Sequence, residues 1–98
     1  MTDHASDPTV RGLREEISDL DHAIVDAVNS RLELVERLKR YKASLGIPFL
    51  DPDRERQLLD DLALANRGPL SNEGLREFFG ELLDLTKREV GGDGGPVL

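Results

Sequence analysis

Cysteine and tryptophan are absent from the 98 residues, and tyrosine, methionine and phenylalanine occur one, one and three times. Without cysteine there is no disulfide framework and no thiolate metal site, which fits a cytoplasmic protein. Aromatics are 4% of the chain against 38% hydrophobic residues, so any core must be mostly Leu, Ile and Val. Positive charge is in the minority: 13 Lys and Arg face 20 Asp and Glu, a net charge of −7. That balance argues against nucleic acid or an anionic membrane as the main partner. The start of the chain is polar, with no apolar run like a secretion signal, and no stretch approaches membrane-span length. Histidine is scarce too. His4 falls in the N-terminal tail, and His22 on the exposed side of a helix, as a surface residue.

What is present is one long helical pattern. From Leu13 to Leu45 there is neither Gly nor Pro. Leu13, Ile17, Leu20, Ile24 and Val28 recur at helical spacing, and the same stripe continues through Arg31, Val35, Leu38 and Lys42. At about 100° per residue, Arg31 and Lys42 lie within the apolar face. A buried charge without a counter-charge is costly, so these cations call for anions. With its flanks the helix covers about 35 residues, roughly 50 Å, whereas a compact chain of this length has a radius of gyration of only ~13 Å. The expectation is a helix that needs a second copy of itself, in an intertwined homodimer.

The remaining elements follow from local signals. Residues 1–9 read as a disordered N-terminal tail, 10–90 as one helical domain and 91–98, with four of the nine glycines, as a flexible C-terminal tail. The first helix starts near Val10 and ends around Leu45, with Gly46 suited to a left-handed cap. Arg37, Lys39 and Arg40 near its end read as a solvated cluster favoured by the helix dipole. Asp51-Pro52 starts a second helix running to about Asn66, with Leu58, Leu59, Leu62 and Ala65 on one side, and Gly68-Pro69 stops it. Ser71 caps a third, with Leu70 and Leu75 spaced as a hydrophobic staple. Its inner stripe is Leu75, Phe79, Leu82 and Thr86, with Val90 one turn on. The fold class is all-α: three helices, the first long, and no strand signal.

Polar residues on or beside these apolar faces are Arg14, Arg31, Lys42, Arg54, Glu55 and Thr86. Four are cations and one is an anion, so a small dianion is a natural missing partner. An Arg fork binds both oxygens of a carboxylate, and two Arg suggest two carboxylates. Lys42 is a movable point charge suited to a single oxygen on which negative charge develops. The competing reading is that Arg31 and Glu55 simply pair across helices.

The run Leu13-Arg14-Glu15-Glu16-Ile17, then Leu20-Asp21, Arg31, Lys42, Pro48 and Asp51-Pro52-Asp53-Arg54-Glu55 resembles the all-helical chorismate mutases. Lys42 follows Arg31 by eleven residues, and Arg54-Glu55 begins twelve beyond it, a specific pattern in so short a chain. The resemblance covers roughly Gly12 to Thr86. It implies an intertwined homodimer of three-helix protomers that rearranges chorismate to prephenate, on the route to phenylalanine and tyrosine. The reaction is unimolecular, so neither cofactor nor metal is implied. By the same resemblance Arg14 would reach the partner's site and grip one carboxylate, and Arg31 would bind the other. Lys42 would donate to the ether oxygen and a carboxylate. Asp51, largely by its main chain, and Glu55 would hold the ring hydroxyl. Arg54 would line the site, and Thr86 would stand near a carboxylate.

One position departs from the family pattern. Where Gln or Glu usually gives a second donor to the ether oxygen, one turn after Thr86, this chain has Val90, with Glu89 one residue earlier. Either the third helix is regular and the site has one donor fewer, or its last turn slips and presents Glu89. A protonated Glu89 would donate, and the rate would then rise toward acidic pH. Two relatives of the same fold are alternatives in substrate: isochorismate pyruvate lyase and 4-amino-4-deoxychorismate mutase. A non-catalytic helical dimerisation or regulatory module is the alternative of another class. It explains the long helix, but not the cations that interrupt its seam.

Overall fold

The computed structural model describes residues 6–91, so the tail assignments for residues 1–5 and 92–98 lie outside the described residues. Three helices follow one another: α1 over Pro8–Ser44, α2 over Pro52–Ala65 and α3 over Asn72–Val90. Among the described residues no strand is present.

Each terminus has a local cause. α1 begins two residues earlier than the sequence pattern suggested. The Asp7 carboxylate accepts the N–H groups of Thr9 and Val10 at 2.8 and 3.1 Å, and Pro8 takes the first helical position. The helix ends in a Schellman turn. Gly46 adopts φ +71°, its N–H reaches the Ala43 carbonyl at 3.2 Å, and the Ile47 N–H reaches that of Lys42 at 2.9 Å. α2 repeats the Asp-Pro start, with the Asp51 carboxylate accepting the Arg54 N–H at 3.1 Å. Asn66 ties the α2–α3 connection together. Its side chain donates to the Leu70 carbonyl and to Asn72 Oδ1, and accepts from the Gly68 N–H. Ser71 caps α3 by accepting the Gly74 N–H at 3.0 Å. Leu70 folds over that first turn so closely that a Cβ on Gly74 would lie 3.0 Å from Leu70 Cδ1.

The chain divides into two compact units, one up to Glu33 and one from Leu34 onward. In the first, the described residues are Ser6, Asp7 and the N-terminal turns of α1. Leu13, Ile17, Leu20 and Ile24 present their stripe with 55%, 57%, 65% and 51% of their surface exposed. No residue of α1 is buried.

The second unit holds the end of α1 with α2 and α3. Its core is built on α3: Leu75, Leu82, Leu83, Thr86 and Val90 are buried. α2 packs against α3 and brings half-buried Leu58, Leu59 and Leu62 to it. Phe79 is half-buried, while Phe78 stays half-exposed with its ring edge-to-face against Phe79, centroids 5.5 Å apart. Outside the sequence-expected stripe, Leu83 joins the buried residues of α3, widening its apolar arc.

Candidate active site

Of the residues expected in the site, Arg14 and Arg31 belong to the first unit, where Arg14 is exposed and Arg31 half-buried. The other six belong to the second, and its helices fix them one by one.

Lys42 stands in the last turn of α1, half-buried, its Nζ 3.4 Å from the Phe49 carbonyl. That contact is long for a hydrogen bond, so the ammonium is steered toward the segment between α1 and α2 without being firmly held. Asp51 and Arg54 are exposed, and the Asp51 carboxylate is spent on capping α2. The Asp51 main-chain carbonyl accepts the Glu55 N–H at 3.1 Å, as the first turn of α2 requires.

Glu55 is half-buried on the first turn of α2 and its Oε1 accepts from Lys87 Nζ at 3.0 Å across the α2–α3 packing. Lys87 directly follows Thr86, which is 5% exposed and donates its hydroxyl to the Leu82 carbonyl at 2.7 Å. Donation to a ligand carboxylate therefore requires that hydroxyl to turn away from its own helix.

The two possibilities for the last turn of α3 are now distinguished. The helix is continuous through Val90, and the Gly91 N–H closes it onto the Lys87 carbonyl at 2.8 Å. Val90 is 7% exposed and Glu89 is exposed. There is no slip that would turn Glu89 inward. Gly91, assigned to the flexible tail from composition, is buried and caps α3.

Two lysines make contacts that the sequence pattern does not signal. Lys87 was not singled out, because a cation in the last turn of a helix is what the dipole favours anywhere. The sequence pattern puts Lys39 in a solvated cluster with Arg37 and Arg40. It is instead half-buried, with Nζ donating to the Val90 carbonyl at 2.9 Å. Arg37 and Arg40 are exposed as expected, and Arg40 lies 3.5 Å from Glu36.

Chemically, the cations and carboxylates of this arrangement can bind and orient an anion and donate hydrogen bonds to it. Among the described residues no cluster of three or more His, Cys, Asp or Glu could hold a metal ion. The family profile described as chorismate mutase type II matches residues 13–90, a span that contains every one of these site residues. The chain belongs to the type II chorismate mutase family.

Among solved structures, the chorismate mutase of Thermus thermophilus (Form II) superposes with a TM-score of 0.82 at 28% identity, covering 87% of this chain and 97% of that one. Form I of the same protein gives 0.78 at 31% identity, covering 80% and 98%. The bifunctional chorismate mutase/prephenate dehydratase of Aquifex aeolicus is 29% identical over 87 residues, 81% of this chain and 24% of its own. The chain thus spans about a quarter of that curated relative's length. A 4-amino-4-deoxychorismate mutase of Streptomyces venezuelae is 40% identical over 42 residues, 43% of this chain and 41% of its own. Among the described residues no helix is long and apolar enough to cross a membrane.

Proposed function

We propose that the protein is a chorismate mutase that rearranges chorismate to prephenate, working as an intertwined homodimer. The observation that carries this is the family match over residues 13–90, with Arg14, Arg31, Lys42, Asp51, Arg54, Glu55 and Thr86 all in the matched span. In the reaction the ether C–O bond breaks and a C–C bond forms within one molecule, so nothing is transferred to the protein. Its residues act in two ways. Arg14 of the partner subunit and this chain's Arg31 clamp the two carboxylates, selecting the folded conformer in which the bonding carbons meet. Lys42 donates to the ether oxygen as negative charge builds there. Glu55 and the Asp51 main chain hold the ring hydroxyl. Thr86 and Arg54 border a carboxylate and the site wall.

The homodimer is supported by the stripe Leu13, Ile17, Leu20 and Ile24, half or more exposed in the single chain. An apolar row of that length on a helix without a buried residue needs a covering surface, and a second α1 supplies a matching one.

The test is direct: purified protein is mixed with chorismate, and the loss of chorismate absorbance is followed together with prephenate formation. Stoichiometric prephenate is expected, and its absence at high enzyme concentration overturns the assignment. The likeness to the Streptomyces venezuelae 4-amino-4-deoxychorismate mutase gives the second reading, a ring ammonium in place of the hydroxyl.

A further inference from the structure

A ring substituent brought to Glu55 meets two charges there. The Glu55 carboxylate and the Lys87 ammonium are 3.0 Å apart, with side chains 29% and 38% exposed. The other α2–α3 pair, Arg76 with Asp60 at the same distance, is 47% and 66% exposed. The more enclosed pair is less screened by water and salt, so its electrostatic effects on a neighbour persist. Lys87 is also well anchored. Its carbonyl accepts the Gly91 N–H, and it follows buried Thr86 in the regular end of α3.

We propose that Lys87, ion-paired to Glu55, is a specificity-determining residue that selects a ring hydroxyl over a ring ammonium. The inference rests on the chorismate reading above, in which Glu55 holds that hydroxyl. An ionised carboxylate only accepts, and its two oxygens offer about four lone-pair sites. Glu55 paired with Lys87 therefore still accepts from a neutral hydroxyl. A ring ammonium has protons to give as well, but its charge arrives at a carboxylate already matched by a cation. It gains less from Glu55 and is repelled by Lys87, whereas the hydroxyl feels no such penalty. Discrimination then comes from a repulsive element built against the wrong ligand.

The experiment compares kcat/KM for chorismate and for 4-amino-4-deoxychorismate in the wild type, Lys87→Met, Lys87→Gln and Lys87→Arg. The wild type should favour chorismate by about tenfold or more, the scale a like-charge contact reaches in a partly enclosed site. Lys87→Met should shift the ratio toward the amine by a similar factor, through the amine's kcat/KM. Lys87→Gln, which can still hydrogen-bond Glu55, should do the same, and it replaces the Met variant should that one fail to fold. Lys87→Arg keeps the charge and should keep the wild-type ratio. If removing the charge changes both substrates equally or not at all, or if the wild type prefers the amine, the assignment of Lys87 is overturned. An unchanged ratio in an enzyme that makes prephenate leaves the chorismate reading intact. A wild type without measurable turnover of chorismate overturns that reading and this inference together.

Discussion

Val90 is buried in the last turn of α3 and has no donor to offer, while the exposed side chain of Glu89 belongs to solvent. In the proposed site Lys42 is then the one side chain left to stabilise the ether oxygen. Losing a donor at such a position costs ~2.7–4 kcal/mol in a well-studied hydrolase, so the wild type should be a slow family member. Val90→Gln should raise kcat by about tenfold or more with little change in KM, since the new contact strengthens mainly in the transition state. Its amide also replaces a buried methyl pair, so the melting temperature should fall. Glu89→Ala should leave the rate unchanged from acidic to neutral pH. A rate changed by neither variant would remove the end of α3 from the site. The same scale explains what the sequence concealed. Lys39 and Lys87 meet their partners 51 and 32 positions away. Helical periodicity reports only which face a residue shares with its own turn neighbours, so such pairings are not legible in it.

Helix boundaries, by contrast, are set within a few residues, and most were legible. Asp51-Pro52, Ser71 and Gly46 do what their chemistry dictates. α1 starts at Asp7-Pro8, the same signal as Asp51-Pro52, set in a polar stretch that reads as tail by composition. Asp51 is where an element boundary meets the proposed site: its carboxylate caps α2. Asp51→Ala should lower the unfolding free energy by ~0.5–2 kcal/mol through loss of the cap. Asp51→Asn, which can still accept the Arg54 N–H, should keep most of the stability and the activity. Urea unfolding and steady-state rates on both variants check this. If Asn abolished activity without loss of stability, the carboxylate itself would be the ligand group.

For the whole molecule, the all-helical class and the stripe of α1 were legible because periodicity is a property of one chain. What covers that stripe in the proposed homodimer is a property of two. Half-exposed Leu13, Ile17, Leu20 and Ile24 on α1 are the row that a second chain would cover in the proposed dimer. Light scattering at micromolar concentration should give about twice the 10.9 kDa chain mass. An active monomer would contradict the intertwined arrangement.

A chorismate site shared between two chains can be seen by co-refolding Arg14→Ala chains with Arg31→Ala chains. Each variant alone should be folded and inactive, because each of its sites lacks one clamp. In a mixed dimer one site combines the intact Arg31 of one chain with the intact Arg14 of its partner, and the other site lacks both. Random pairing of equal amounts should therefore restore about a quarter of the wild-type rate per chain. If the mixture stays as inactive as its components while mixed dimers are shown to form, Arg14 does not act across the interface and the shared site is wrong.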